Sequence, residues 1–322
     1  MSASTAVIIL NWNGYQMTSD CIRSLMAMDA EDHEVVVVDN GSTDGSAGLL
    51  ARDFPKITIL AQSANLGFAA GCNVGMRYAL ARGVEYILLL NNDTQVALDF
   101  MREMRCALSR DARIAFVCPK IYFADQPNML WYAGADFSLW TGTPKHRGWK
   151  EIDRGQFDHN LEITQGTGCA MLLRCSAVRD LGLLDEQFWA YIEDLDWSVR
   201  FLKRGYRLAF APKARIWHRE GSTSVKLLGS GSQSIRQFFS TRNMVFLARK
   251  HLRWWQLPTY ALGFMFTHIV FYTALRIWRH DFRALRAIYT GLSQGMSTSL
   301  NSGWAYLQTG SQQEEVVNAN RD

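Results

Sequence analysis

The stretch Tyr86–Thr94, Tyr-Ile-Leu-Leu-Leu-Asn-Asn-Asp-Thr, constrains the fold more than any other part of the chain. Its four consecutive apolar residues, Ile87–Leu90, follow no amphipathic period. That is the pattern of a strand covered on both faces. The run stops abruptly in Asn91, Asn92 and Asp93. Strands buried on both faces belong to open α/β sheets, whose ligands sit beyond the carboxyl ends of the strands. Asp93 therefore reads either as a carboxylate holding a divalent metal against a diphosphate, or as the cap of a polar turn.

The flanking chain supplies such a sheet. Val7–Leu10, Val35–Val38 and Ile57–Leu60 are short apolar runs, while Tyr15–Met28 and Gly67–Arg82 have helical character, the second closed by Gly83. Strand and helix alternate across short joints, which predicts an α/β chain with a doubly wound, Rossmann-like sheet. Polar residues follow the strands at Asn11 and Asn13, at Asp39 and at Asp93. All would lie along one sheet edge, where one carboxylate accepts from a base or ribose and another holds metal at the phosphates. Asp39 alone would equally suit an Asx turn in its Gly/Ser/Asp loop. No Walker A sequence occurs. Gly166-Thr167-Gly168 lacks a third glycine and precedes the strand-like Ala170–Leu173, so a dinucleotide fingerprint is not expected.

Val96–Arg110 reads as a helix and Ile114–Cys118 as a strand. Tyr122–His159 is rich in Trp, Gly, Asp and His without a period, and reads as a long excursion that carries acceptor specificity. Beyond it lies Phe188-Trp-Ala-Tyr-Ile-Glu-Asp-Leu-Asp-Trp197. Leu195, Val199 and Leu202 keep helical spacing up to Gly205. Glu193 and Asp194 thus fall in or just before a first turn, where the helix dipole favours the ionised form that a general base requires. The competing reading is a pair of ordinary helix-N-terminal acids. The aromatic residues Trp189, Tyr191 and Trp197 would wall an acceptor sugar pocket. Leu208–Ala211 and Ala214–Trp217 read as short strands leading to His218, either a second metal ligand or a satisfied structural histidine.

Six cysteines at positions 21, 72, 106, 118, 169 and 175 form no C-x-x-C pair, which argues against zinc and for a reducing compartment. Thr5–Leu10 is too short for a signal sequence, so a cytoplasmic chain is expected. From Arg200 to Arg286 there are 17 Lys and Arg against two acids, Glu220 and Asp281. Within that region Leu257–Ile277 is apolar over about a membrane's length. Tryptophan and arginine flank it on both sides, as at a membrane interface. Attachment to the anionic inner face of the cell membrane is the expectation. Burial in the protein or a homo-oligomer, and a true span, are the alternatives. The positive charge carries no nucleic-acid reading motif, so nucleic acid is not an expected partner.

Five segments taken together resemble a known family: Val7–Gly14, Val36–Gly45, Asn65–Asn73, Leu90–Thr94 and Glu193–Trp197. Their residues and order are similar to family-two glycosyltransferases, in particular the branch that includes bacterial rhamnosyltransferases of cell-surface polysaccharide assembly. The match runs from about Thr5 to Ser224. The resemblance implies a GT-A fold, an inverting mechanism, a nucleotide-sugar donor (dTDP- or UDP-linked) and Mg2+ or Mn2+. It places Asp39 at the nucleobase and Asn11, Asn13, Asn65, Gly67, Asn73 and Asn92 on the donor side. Asp93 becomes the last acid of a metal motif whose first acid is here replaced by Asn91. His218 completes the metal shell, and Asp194 is the general base with Glu193 beside it. The implied acceptor is a glycan or a polyprenyl-diphosphate-linked sugar. Transfer of another sugar from a UDP or GDP donor, and nucleotidyl transfer, are the alternatives. Three segments are expected: a GT-A domain over 1–225, a helical membrane-associating extension over 226–308 and a disordered tail over 309–322.

Overall fold

The computed structural model of the chain describes residues 4–29, 32–219 and 231–300. The expected tail, 309–322, lies outside the described residues. The chain divides into two compact units. The first is Met1–Asp136, Lys145–Leu184 and Asp194–Thr223, and the second is Phe137–Pro144, Asp185–Glu193 and Ser224–Asp322.

The first unit is built on one mixed sheet. Its amino-terminal half is parallel. Strands β1 (Thr5–Asn11), β2 (His33–Asp39), β3 (Thr58–Ala61) and β4 (Tyr86–Asn91) alternate with helices α1 (Tyr15–Met26), α2 (Ser46–Asp53) and α3 (Gly67–Arg82). β1 sits between β2 and β4, so Asn11 is in register with Asp39, and Leu10 with Asn91. The apolar run expected at the centre of the core is there: Ile87, Leu88, Leu89 and Leu90 are all at most 3% exposed. α3 lies close over β1 because Gly71 and Gly75 present no side chain. A Cβ at Gly71 would come within 2.5 Å of the Leu10 side chain.

Beyond β4 the sheet turns mixed. Strands β5 (Thr94–Val96), β6 (Ile114–Phe123), β7 (Gln126–Tyr132), β10 (Glu162–Ile163), β11 (Ala170–Arg174) and β12 (Arg207–His218) complete it in the order β10-β12-β6-β11-β4-β1-β2-β3. β5 pairs with β12, and β7 with β6. β11 runs antiparallel to both β4 and β6 and leads into helix α5 (Cys175–Leu181). Helix α4 (Phe100–Leu108) starts later than the expected Val96–Arg110, because Thr94–Val96 pairs with β12 as a strand. The two expected strands at 208–211 and 214–217 are one strand, β12, whose register shifts between Ala211 and Arg215. That irregularity falls at Pro212, which has no N–H to give to a ladder.

The Tyr122–His159 excursion is more ordered than its composition suggests. It holds β7 and the hairpin of β8 (Ala135–Ser138) and β9 (Thr143–His146). Its return is pinned by the buried Lys120 ammonium, which lies 2.9 Å from Asp153 and 2.5 Å from Asp158. Tyr122 adds a hydroxyl donated to Asp153 at 2.6 Å. All six cysteines are free thiols, and burial pushes those of Cys21 and Cys118 up to about 12.

In the second unit a helix, α7 (Gly231–His251), is followed by a continuous helical run, α8 (Trp254–Trp278), and by α9 (Phe282–Ser297). The middle of α8, Met265–Val270, is π-helical. α9 approaches α7 closely at Gly291 and Gly295, where a Cβ would meet the backbone of Phe238 and Arg242.

Candidate active site

The carboxyl ends of β1, β2 and β4 form one polar edge, and a chain of side-chain hydrogen bonds ties them together. Asn92 Nδ2 donates to Thr18 Oγ1 at 3.0 Å, Thr18 Oγ1 to Asn11 Oδ1 at 2.7 Å, and Asn11 Nδ2 to Asp39 Oδ1 at 2.7 Å. Asp39 Oδ2 accepts from the Ser42 N–H at 3.1 Å. Asn11 is wholly buried and Asn92 nearly so. Both amides are therefore engaged within the protein, and they orient Asp39. Asn13 has φ 49° and accepts the Thr43 N–H at 2.7 Å, which fixes the loop after β2.

The start of α3 adjoins this edge. Asn65 Oδ1 accepts from Gly67 N and from Asn40 Nδ2, each at 2.9 Å, and Asn40 Nδ2 also reaches the Gly67 carbonyl at 3.1 Å. Asn40 was not among the residues expected from sequence, yet it joins the end of β2 to the start of α3. Asn73 stands apart from this group. It is buried and clasps both the N–H and the carbonyl of Leu184, at 3.1 and 2.9 Å. Its amide is occupied in holding the chain at the far end of a loop, which corrects the donor-side expectation for it.

Asp93 and His218 meet through strand pairing. β12 runs antiparallel to β5 with His218 opposite Thr94, and the Arg219 N–H donates to the Asp93 carbonyl at 2.9 Å. His218 Nε2 lies 3.1 Å from Asp93 Oδ1, with side chains only 7% and 8% exposed. Burial opposes a charged imidazole here. The neighbouring Cys169 and Asp93 outweigh it, and the His218 pKa stands well above the usual histidine value. Trp131, from the excursion, sets its ring edge-on to His218 at 4.9 Å and packs against Trp149 at 5.8 Å. These tryptophans bring an aromatic wall to the histidine. Their only signal in the sequence was the aromatic content of an otherwise unpatterned stretch.

Asp194 lies in the first turn of α6 (Glu193–Lys203) and is half-buried. Its Oδ2 accepts the Gly168 N–H at 2.8 Å and its Oδ1 the Leu195 N–H at 2.7 Å. Ser198 donates to the Asp194 carbonyl at 2.7 Å and accepts from Gly166 N at 3.0 Å. The Gly166-Thr167-Gly168 turn is thus a cradle for this carboxylate and not a phosphate loop. Burial raises the Asp194 pKa above the ordinary aspartate value, against the two backbone N–H groups, which lower it. The next residue, Cys169, accepts the Asn91 N–H at 2.8 Å, so the strand end that holds Asp194 is bonded to the strand end that precedes Asp93.

The aromatic segment before α6 belongs to the second unit. Trp189, Tyr191 and Ile192 all have positive φ, between 60° and 71°, which costs each non-glycine residue about 1–3 kcal/mol. Two neighbours on α7 hold it. Asn243 Nδ2 donates to the carbonyls of Phe188, Ala190 and Tyr191 at 2.8, 2.9 and 2.7 Å. An Arg242 guanidinium N–H reaches those of Gln187 and Phe188 at 3.1 and 3.0 Å. Trp189 stacks on Phe239 at 4.8 Å. Glu193 ends this segment and is buried. Trp197 corrects the expectation of an acceptor-side ring. It is fully buried, its indole N–H donated to the Gly182 carbonyl at 2.9 Å, and it packs in the core against Phe201.

Comparison with known proteins agrees with this architecture. A dTDP-rhamnosyl transferase, RfbF, of Shigella flexneri is 26% identical over 67% of this chain and 71% of its own length. An N-acetylglucosaminyl-diphospho-decaprenol L-rhamnosyltransferase of Mycobacterium tuberculosis is 26% identical over 70% of this chain and 77% of its own. Among solved structures, mannosyltransferase PcManGT from Pyrobaculum calidifontis, in complex with GDP-Man and Mn2+, superposes with a TM-score of 0.55 at 15% identity. That match covers 98% of this chain and 85% of the other. The fold is of the GT-A kind, a mixed α/β sheet followed by helices. The model of the family described as "Glycosyl transferase family 2" matches residues 6–182, more than half of the 322, and the chain belongs to that family.

Proposed function

We propose that this glycosyltransferase is metal-dependent and inverting, and that it moves L-rhamnose from dTDP-rhamnose to a glycan or lipid-linked acceptor in cell-surface polysaccharide synthesis. Two relatives named as rhamnosyltransferases support the donor sugar. A polyprenyl-diphosphate acceptor is supported by the decaprenol in the name of one of them. Family membership leaves the nucleotidyltransferase alternative without support. The observation that carries the reading is the bond between Asn91 N and Cys169 O, which sets the Asp93–His218 pair and the cradled Asp194 at adjoining strand ends.

Asp93 and His218 offer one carboxylate and one imidazole. Among the described residues no group of three or more His, Cys, Asp and Glu side chains is placed to hold a metal. Asp93 and His218 would hold a divalent ion that arrives with the donor diphosphate, since two protein donors are too few to cage a resident ion. When bound, Mg2+ or Mn2+ would offset the charge of the leaving diphosphate. Asp39, oriented by Asn11 and Ser42, accepts from the nucleobase. Asp194 takes the proton of the acceptor hydroxyl as its oxygen attacks the anomeric carbon from the face opposite the diphosphate. One such displacement inverts the configuration and needs no covalent intermediate. The backbone N–H groups of Gly168 and Leu195 keep that carboxylate aimed while leaving it lone pairs for the proton. The catalytic domain is assigned to 1–225 and the extension to 226–308, peripheral to the anionic cytoplasmic face of the membrane that would present the acceptor.

Thermal shift with UDP-, GDP- and dTDP-sugars, each with and without Mn2+, tests the donor, since a bound ligand raises apparent stability. A shift with dTDP-rhamnose that requires the metal is expected. No shift with any metal–nucleotide pair would refute the assignment.

A further inference from the structure

In the second unit, α8 has two unlike faces. Tyr260, Phe264, Ile269 and Arg276 are buried. That stripe is bonded to its neighbours along its whole length. The Tyr260 hydroxyl donates to the Met244 carbonyl at 2.9 Å, Thr241 and His268 are 3.0 Å apart, Arg276 donates to Gln233 at 3.1 Å, and Thr273 meets Tyr289 at 3.1 Å. The π-helical turn at Met265–Val270 makes the stripe step five residues, from Phe264 to Ile269, and so keeps it on the same side.

The opposite face is apolar and open. Trp254 is 77% exposed, Leu262 and Phe266 61% each, Phe271 56% and Trp278 75%. No charged residue occurs between Arg253 and Arg276. At about 1.5 Å per residue this makes a ridge roughly 35 Å long. Soluble monomers rarely leave so extended an apolar surface in water.

We propose that this ridge lies in the plane of an anionic bilayer, sunk to the depth of the headgroups, and does not cross the bilayer. Three observations select that occupant. Residues 231–300 carry nine Lys and Arg against one acid, Asp281, and Arg253, Arg279, Arg283 and Arg286 are exposed at or beyond the ends of the ridge. Tryptophans stand at both ends, where an interface prefers them. A span is disfavoured because the inner stripe is bonded to α7 and α9. Inserting α8 would carry Arg236, Arg242, Arg249 and Lys250 of α7 into hydrocarbon with it. A second copy is disfavoured because pairing two ridges would bring two sets of exposed arginines together. The inference deepens the proposed function by fixing how the chain meets its membrane. It rests on that function only for the identity of the acceptor.

Co-sedimentation of the full chain with vesicles tests it. Vesicles containing phosphatidylglycerol should bind at least ~10-fold more tightly than pure phosphatidylcholine, and high salt should reduce the difference. Alkaline carbonate should release the bound protein completely. The double substitution F266S/F271S, at exposed positions, should weaken binding at least ~10-fold. R279E/R283E should abolish the preference for anionic lipid. Both variants should keep the wild-type melting temperature and the metal-dependent shift with dTDP-rhamnose. That shift reports the donor site alone, so its loss in the wild type would count against the proposed function and leave the membrane result standing. Absence of binding to anionic vesicles would overturn the proposal. So would retention after carbonate, which marks a span, or a dimer in sedimentation equilibrium that F266S/F271S dissolves.

Discussion

β4 and α8 are both apolar runs bordered by polar residues, and the structure uses them in opposite ways. In β4, Ile87–Leu90 pairs with β1 on one side and β11 on the other, and its four side chains are at most 3% exposed. In α8 the backbone satisfies itself, so nothing obliges both faces to be covered, and one face remains open. A strand needs neighbours for its backbone and acquires a core from them. A helix can keep an apolar face free for a partner. The polar residues that end the two runs differ accordingly. Those after β4 are carboxamides and a carboxylate locked into position by strand register, whereas those around α8 are exposed arginines suited to a diffuse anionic surface.

Four measurements probe that contrast. The largest effect is expected at the core strand. Leu88→Ala should cost about 2–5 kcal/mol in urea unfolding. A loss under about 1 kcal/mol would mean that β4 is not the covered strand described here. Next, Asn243→Asp removes the amide N–H groups from three loop carbonyls and places a negative charge among them. It should destabilise by about 1–3 kcal/mol and raise the acceptor KM more than the donor KM. An equal effect on both substrates would argue for a general rather than a local role of the clamp.

Third, the pH profile follows from Asp194. Its folded pKa is raised, and a base works only when ionised, so transfer should fall on the acid side through a pKa above the ordinary aspartate value. Stability runs the opposite way. A carboxyl with a raised folded pKa stabilises the fold fully below its unfolded pKa, and that contribution is lost as pH rises through the folded value. An acid limb at or below the ordinary value would contradict the burial that drives this shift. Smallest of all, Phe266→Ser on the open face of α8 should change stability by no more than about 0.5 kcal/mol in the absence of lipid. A core-sized loss there would mean that the face is already covered by protein.

The alternating half of the fold was legible because local patterns decide it. The apolar runs at Val7, Val35 and Ile87 end at the residues that the structure sets on one edge, Asn11, Asp39 and Asp93. What remained hidden depends on pairing between distant segments. The Gly166–Gly168 turn was set aside as a dinucleotide fingerprint but given no other role, because its partner, Asp194, lies 26 residues further along from Gly168. His218 was expected beside Asp93, but not the pairing that brings it there, the antiparallel register of β12 against β5, a strand masked by the helical look of the residues after it. β7, β8 and β9 were invisible because their Trp, Gly and His content follows neither a two-residue nor a 3.6-residue period. Trp197 misled because an aromatic beside an acidic pair resembles a pocket wall until the helix phase turns it into the core.

Two carboxylates divide the labour in the proposed reaction, Asp93 with the metal and diphosphate, Asp194 with the acceptor proton. Measuring Asp93→Ala and Asp194→Ala side by side tests it, with metal-dependent thermal shift by dTDP-rhamnose and sugar transfer as the two readouts. Asp194→Ala should lose about 10²–10⁴-fold in transfer while keeping the shift. Asp93→Ala should lose both. A shift that survives in Asp93→Ala, or disappears in Asp194→Ala, would contradict the account.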